Sequence, residues 1–141
     1  IKAALGLNSI EKPGPTGVGV FCNRELKVYA HLVTFRKVEQ DFSPTTLYKD
    51  YPISRNQLHW ESQSTVTQKT TTGQNYIHFK ERDYTVLFFG RVEKQIEGEA
   101  APFIYLGPVS DLISYEGDRP ISMVWALKHQ MPAAFFEQAR P

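Results

Sequence analysis

The sequence predicts a mainly β (α+β) domain: a bent mixed sheet or barrel of seven to eight strands with short terminal helices. Three observations carry this. Short apolar runs recur between turn residues, as in Leu26–Phe35, rich in Val, Tyr, Phe and Thr, and in the buried run Ile121–Leu127. The run Gln57–Gln63 alternates apolar and polar residues with the period of a half-buried strand. Amphipathic helices do not alternate with these runs, so a βαβ fold is not expected. The 141 residues suit one domain with a core that needs no staples.

In order, Ile1–Leu7 reads as the end of a helix, stopped near Gly6 and Asn8. The Pro/Gly-rich stretch Glu11–Gly19 reads as a loop or linker. Leu26–Phe35 is a strand, and Ser43-Pro44-Thr45 a turn. Tyr48–Ser54 is broken by Pro52 and is irregular or an edge. In Gln57–Gln63, Leu58, Trp60 and Ser62 fall on one face, and His59, Glu61 and Gln63 on the other. The threonine-rich tract Ser64–Gly73 is a polar loop. Asn75–Phe79 and Tyr84–Val92 are expected to form a hairpin across the charged turn Lys80–Asp83. Glu93-Lys94 and Glu97–Glu99 look like solvated loop. Phe103–Leu106 and Asp111–Tyr115 are short strands, Gly117–Pro120 a turn and Ile121–Leu127 a buried strand. Pro132–Ala139 is a short helix opened by proline.

Composition excludes several classes. A single cysteine, Cys22, rules out an internal disulfide framework and a cysteine-rich zinc site, and points to a reducing cytoplasm. Cys22 beside Phe21 reads as a small core residue rather than a nucleophile. No apolar run is long enough for a spanning helix, and no signal peptide is visible. Four scattered histidines make no zinc pattern. Nucleotide-binding glycine loops and a hydrolase elbow are absent. Glu25-Leu26-Lys27 has a nuclease-like spacing but lacks a preceding aspartate. The expectation is a binding module without catalytic residues, metal or cofactor. The net charge of +1 averages a mildly basic first 80 residues against an acidic stretch over 81–120, which reads either as a basic face set apart from an acidic one or as an ordinary mixed surface.

Binding chemistry concentrates between Tyr48 and Thr72. Lys and Arg neutralise phosphates, hydroxyls fix backbone register, aromatic faces stack on exposed bases, and Asp, Glu or Gln read base edges. Candidate base-reading residues are Tyr48, Asp50, Tyr51, His59, Trp60, Glu61, Ser62 and Gln63. Candidate phosphate contacts are Arg36, Lys37, Arg55, Lys69 and Thr70. Competing structural readings stand beside these: Trp60 as core, the His59–Glu61–Gln63 stripe as a solvated face, and Asp50 as a turn cap.

Tyr48-x-Asp50-Tyr51-x-Ile53-Ser54 and His59-Trp60-x-Ser62-Gln63 are followed by Phe103-x-Tyr105-Leu106-Gly107, Gly117-x-x-Pro120-Ile121, Trp125-x-Leu127 and Met131-Pro132. In this order they resemble a bacterial domain of unknown function at the C-terminus of SauUSI-type restriction enzymes. Those join a phospholipase-D-like nuclease, a helicase motor and this domain. Gly90-Arg91 after Phe88-Phe89 is a small departure. The resemblance implies an SRA-like or PUA-like bent barrel spanning 1–141, excised from the C-terminal part of a larger protein. It implies a reader of 5-methylcytosine in double-stranded DNA, by base flipping, working for the nuclease and helicase domains of its host and not at a membrane. Alternatives are a protein-interaction or dimerisation module, or a reader of hydroxymethylcytosine or phosphorothioate.

Overall fold

A computed structural model of the protein describes residues 19–35, 49–93 and 95–141. The elements expected at Ile1–Leu7 and Ser43–Thr45, and most of the Glu11–Gly19 loop, lie outside these residues. Among the described residues nine strands and two helices follow in order: β1 (Gly19–Asn23), β2 (Val28–Thr34), β3 (Tyr51–Ser54), β4 (Gln57–Glu61), α1 (Thr71–Ile77), β5 (Thr85–Arg91), β6 (Gln95–Ile96), β7 (Glu99–Ala100), β8 (Ile104–Glu116), β9 (Ser122–Leu127) and α2 (Ala133–Ala139). Seven strands form one sheet in the order β1-β2-β5-β8-β9-β4-β3, and β6-β7 form a separate two-stranded ribbon. The architecture is mainly β, as expected. The large sheet is mixed, with β2 and β5 parallel and the other pairs antiparallel. It keeps two open edges, β1 and β3, so the described residues close no barrel.

The parallel pair explains the dense hydrophobicity of β2 and β5. Strands covered on both faces need apolar residues at every position. Tyr29 and Val33, with Val86 and Phe88, feed the main core. Ala30, Leu87 and Phe89 join Phe21 in a smaller cluster of the alternate residues. Glycine stands at position 90 inside β5 for a packing reason. A methyl there would crowd Phe35, Leu106 and Phe135, at 2.7, 3.0 and 3.2 Å.

Two expected strands, Phe103–Leu106 and Asp111–Tyr115, are one strand of 13 residues, β8. Its first part pairs with β5 and its second with β9, so β8 joins the two halves of the sheet. The turn residues in between do not break it. Gly107 adopts φ +95°, open to glycine, and bulges after Val109 and Leu112 absorb the change of direction.

The hairpin expected over Asn75–Val92 is not formed. Residues 71–77 are helical, because Thr70 caps α1: its hydroxyl accepts from the Gly73 N–H at 3.1 Å. Tyr76, fully buried from α1, supplies the packing that the weak helix formers Thr, Gly and Asn do not. The stretch read as solvated loop forms the β6–β7 ribbon, turned through Glu97 and Gly98 at positive φ. Strand β1 had no counterpart in the sequence reading. Among the described residues, no helix is long and apolar enough to cross a membrane.

Candidate functional site

The hairpin β3–β4 gathers most of the candidate residues. Strand β4 lies between β3 and β9 and turns Leu58 and Trp60 into the core. The opposite face carries His59, in register with Tyr51 on β3 and Val124 on β9. The Tyr51 and His59 rings stack with centroids 4.8 Å apart and planes 10° off parallel. That separation equals the usual spacing between strands, so the rings stand side by side as a cross-strand ladder. β3 is the edge strand, so among the described strands none lies beyond Tyr51. The Nδ1–H of His59 donates to the Lys49 carbonyl, which orients the ring and turns Nε2 away from that contact. The Asp50 carboxylate accepts from the Glu61 N–H at 2.9 Å and ties the start of β3 to the end of β4.

The rest of the His-Trp-x-Ser-Gln element turns inward. Trp60 is 1% exposed, stacked on His31 at 4.2 Å and edge-on to Tyr76 and Phe88. This corrects its assignment as a stacking platform: a base cannot reach it while the core is intact. Ser62 is also buried. Its hydroxyl accepts from the Ile121 N–H at 2.9 Å and donates to the Gln63 carbonyl, while its own N–H donates to the Ile121 carbonyl. Ser62 latches β4 to the entry of β9 and offers no free group to a base. Gln63 is half-buried, and its Oε1 accepts from the Tyr76 hydroxyl at 3.0 Å. Glu61 stays on the outer face, in register with Ser122.

The candidate phosphate contacts separate. Lys69 is exposed on the 64–70 segment. That segment is not a free finger. Gln68 N–H donates to the Asp118 carboxylate, Gln68 Nε2 donates to the Gly117 carbonyl, and Arg119 N–H donates to the Val66 carbonyl. Thr70 spends its hydroxyl on the α1 cap and on the Thr67 carbonyl. Arg55 sits at the opposite end of the hairpin, where its Nε donates to the Met131 carbonyl at 2.9 Å. It supports the approach to α2 and does not join the Tyr51–His59 end. Tyr48, Arg36 and Lys37 lie outside the described residues.

Sequence reasoning missed Tyr76 and Arg119. Tyr76 falls in a segment expected to be a strand, and Arg119 joins the Lys69 loop through its N–H on the Val66 carbonyl, a partner distant in sequence. The charge blocks also fail to map onto separate faces. The 117–119 turn, from the acidic stretch, is stapled to the basic Lys69 loop. Glu116 and Glu61 both stand in register with Ser122. This part of the surface therefore carries mixed charge. Among the described residues no cluster of His, Cys, Asp or Glu could hold a metal ion.

No curated protein matches the chain. The family model described as a domain of unknown function, DUF3427, matches residues 2–139. That span includes every element of the sheet and the whole Tyr51–Gln63 region, and the chain therefore belongs to the DUF3427 family.

Proposed function

We propose that this domain is a DNA-binding recognition module rather than an enzyme. In this reading it binds a flipped modified cytosine, 5-methylcytosine above all, and works in the cytoplasm for the nuclease and helicase parts of a larger SauUSI-like restriction protein. The observation that carries the proposal is the Tyr51–His59 ladder at the sheet edge. A base added beyond Tyr51 becomes the next layer of an existing stack, and such stacking contributes about 1–3 kcal/mol per base. Asp50, bonded to the Glu61 N–H, and Gln63, two residues further along the chain, supply edge-reading groups. Lys69 and Arg119, on the two stapled loops, supply phosphate contacts. The added methyl contributes only about 1 kcal/mol, so discrimination against plain cytosine by one domain is several-fold rather than absolute.

The test compares binding to duplexes carrying methylated, hydroxymethylated or plain cytosine at two salt concentrations. Tighter binding to the methylated duplex is expected, weakening steeply with salt. Tyr51→Ala should weaken it by roughly 5- to 100-fold, the worth of one stacked base. Equal affinity for all three duplexes would remove the modified-base reading. Binding insensitive to salt and to competitor DNA would favour a protein-interaction module instead.

A further inference from the structure

A reader of 5-methylcytosine faces a chemical problem that a methyl contact cannot solve. Thymine carries the same methyl group at the same ring position. The two bases differ on the Watson–Crick edge: N3 of cytosine is an acceptor, while thymine presents N3–H, a donor. We propose that Gln63 resolves this by offering a hydrogen-bond donor to the bound base, and that Tyr76 is the positioning residue that fixes its amide. The inference rests on the modified-base reading above.

The geometry of the pair sets the direction of the amide. Tyr76 is fully buried, and its hydroxyl lies 3.0 Å from the Gln63 side chain. A glutamine amide can face such a phenol in two ways. With Oε1 inward, the phenol donates its proton and the buried donor is satisfied. With Nε2 inward, the phenol becomes the acceptor, and its proton is left in the core without a partner. An unpaired buried donor is the costly alternative, so the first arrangement is favoured. Burial also pushes the Tyr76 phenol well above its ordinary titration range, so it keeps that proton. Oε1 is then committed to the core, and Nε2 is the group turned away from it. Gln63 is only half-buried, so Nε2 is the polar group of its side chain left for a ligand. Gln63 thus displays N–H donors only. These match N3 of cytosine and clash with the N3–H of thymine.

Gln63→Glu tests this directly. A carboxylate still accepts from Tyr76, so the inner contact is kept, but the outward group changes from donor to acceptor. The measurement is the ratio of affinities for one duplex with 5-methylcytosine opposite guanine and one with thymine opposite guanine. A thymine–guanine mispair opens more easily, so the readout is the change in this ratio between variant and wild type. Gln63→Glu should lower the ratio about tenfold, the value of one hydrogen bond gained against one lost. Tyr76→Phe, with Gln63 intact, should lower it several-fold by freeing the amide to turn. Thermal melts establish that both variants are folded. If wild type prefers methylated over plain cytosine yet both variants keep the wild-type ratio, the role of Gln63 is overturned and the modified-base reading stands. Gln63→Glu weakening both duplexes by one factor also overturns it, since that is charge repulsion alone. If wild type shows no preference for methylated cytosine, both proposals fall.

Discussion

His31 is 0% exposed, and its ring lies against Trp60 with Tyr29, Tyr76 and Phe88 edge-on around it. Neither ring nitrogen has a hydrogen-bond partner. An imidazolium there would lose its hydration and gain no carboxylate, and burial pushes the His31 pKa down from 6.5 to about 3. The native state therefore keeps His31 neutral at a pH where the unfolded chain takes up a proton. Between these two values the unfolded state binds more protons, so stability falls as pH falls. The slope approaches ~1.4 kcal/mol per pH unit. From neutral pH down to pH 5 the loss is about 2 kcal/mol, and by pH 3 it approaches an upper limit of roughly 5 kcal/mol. The Trp60 face would attract a cation and return part of this. His31→Phe keeps an aromatic ring in the stack and removes the proton site. Its larger ring shifts absolute stability through packing, so the dependence on pH is the quantity to compare. Urea unfolding at pH 7, 6 and 5, followed by fluorescence of the buried Trp60 and Trp125, gives both profiles. The variant should lose about 2 kcal/mol less than wild type between pH 7 and pH 5. Parallel profiles would refute the reasoning, because another group would then carry the acid sensitivity.

A methyl at Gly73 would run into the Thr67 carbonyl oxygen, a backbone atom that cannot swing aside. Gly73→Ala should cost at least about 3 kcal/mol in chemical denaturation, against about 1 kcal/mol for removing the neighbouring cap with Thr70→Ala. Lys69 and Arg55 should part company in DNA binding. Lys69→Ala should reduce the slope of log affinity against log salt by about one, equally for methylated and plain duplexes. Arg55→Ala should leave that slope unchanged and lower the melting temperature instead, since its Nε serves the Met131 carbonyl.

What the sequence revealed follows from how locally each feature is determined. β4 was legible because one face is buried and the other is not, so period-two alternation survives in Leu58-His59-Trp60-Glu61. β9 and α2 were legible for similar reasons, a buried alternation and a proline start. α1 was not. Its residues favour neither helix nor strand, and the decision rests on the Thr70 cap and on the burial of Tyr76, a tertiary event. β8 read as two strands because Gly107-Pro108 looks like a turn locally, whereas pairing with both β5 and β9 holds it extended. Of the candidate site, the outward stripe at His59 and Glu61 was legible from alternation. The roles of Ser62, Gln63 and Thr70 were not, because each depends on a partner from another part of the chain or from the next turn. The ring stack of Tyr51 on His59 needs the β3–β4 register, which Pro52 obscures.

The same distinction governs how far the residues of the motif speak about function. In His-Trp-x-Ser-Gln, Trp60 builds the core and Ser62 joins β4 to β9, so these two report the fold. Asp50 ties the strands of the hairpin together through the Glu61 N–H, a task that any binding surface on this scaffold would share. His59 and Gln63 are different. Each has one side-chain atom fixed by a protein partner, the Lys49 carbonyl or the Tyr76 hydroxyl, and a second polar atom turned away from that partner. A side chain held at one end and open at the other has a defined direction at little further entropic cost on binding, the property a recognition residue needs. Relatives that keep Trp60 and Ser62 but vary at Tyr51, His59 and Gln63 would share this sheet and differ in ligand. On the proposed base-reading function, specificity is therefore to be sought on the outer side of the β3–β4 hairpin and in the amide held by Tyr76, not in the tryptophan that makes the motif conspicuous.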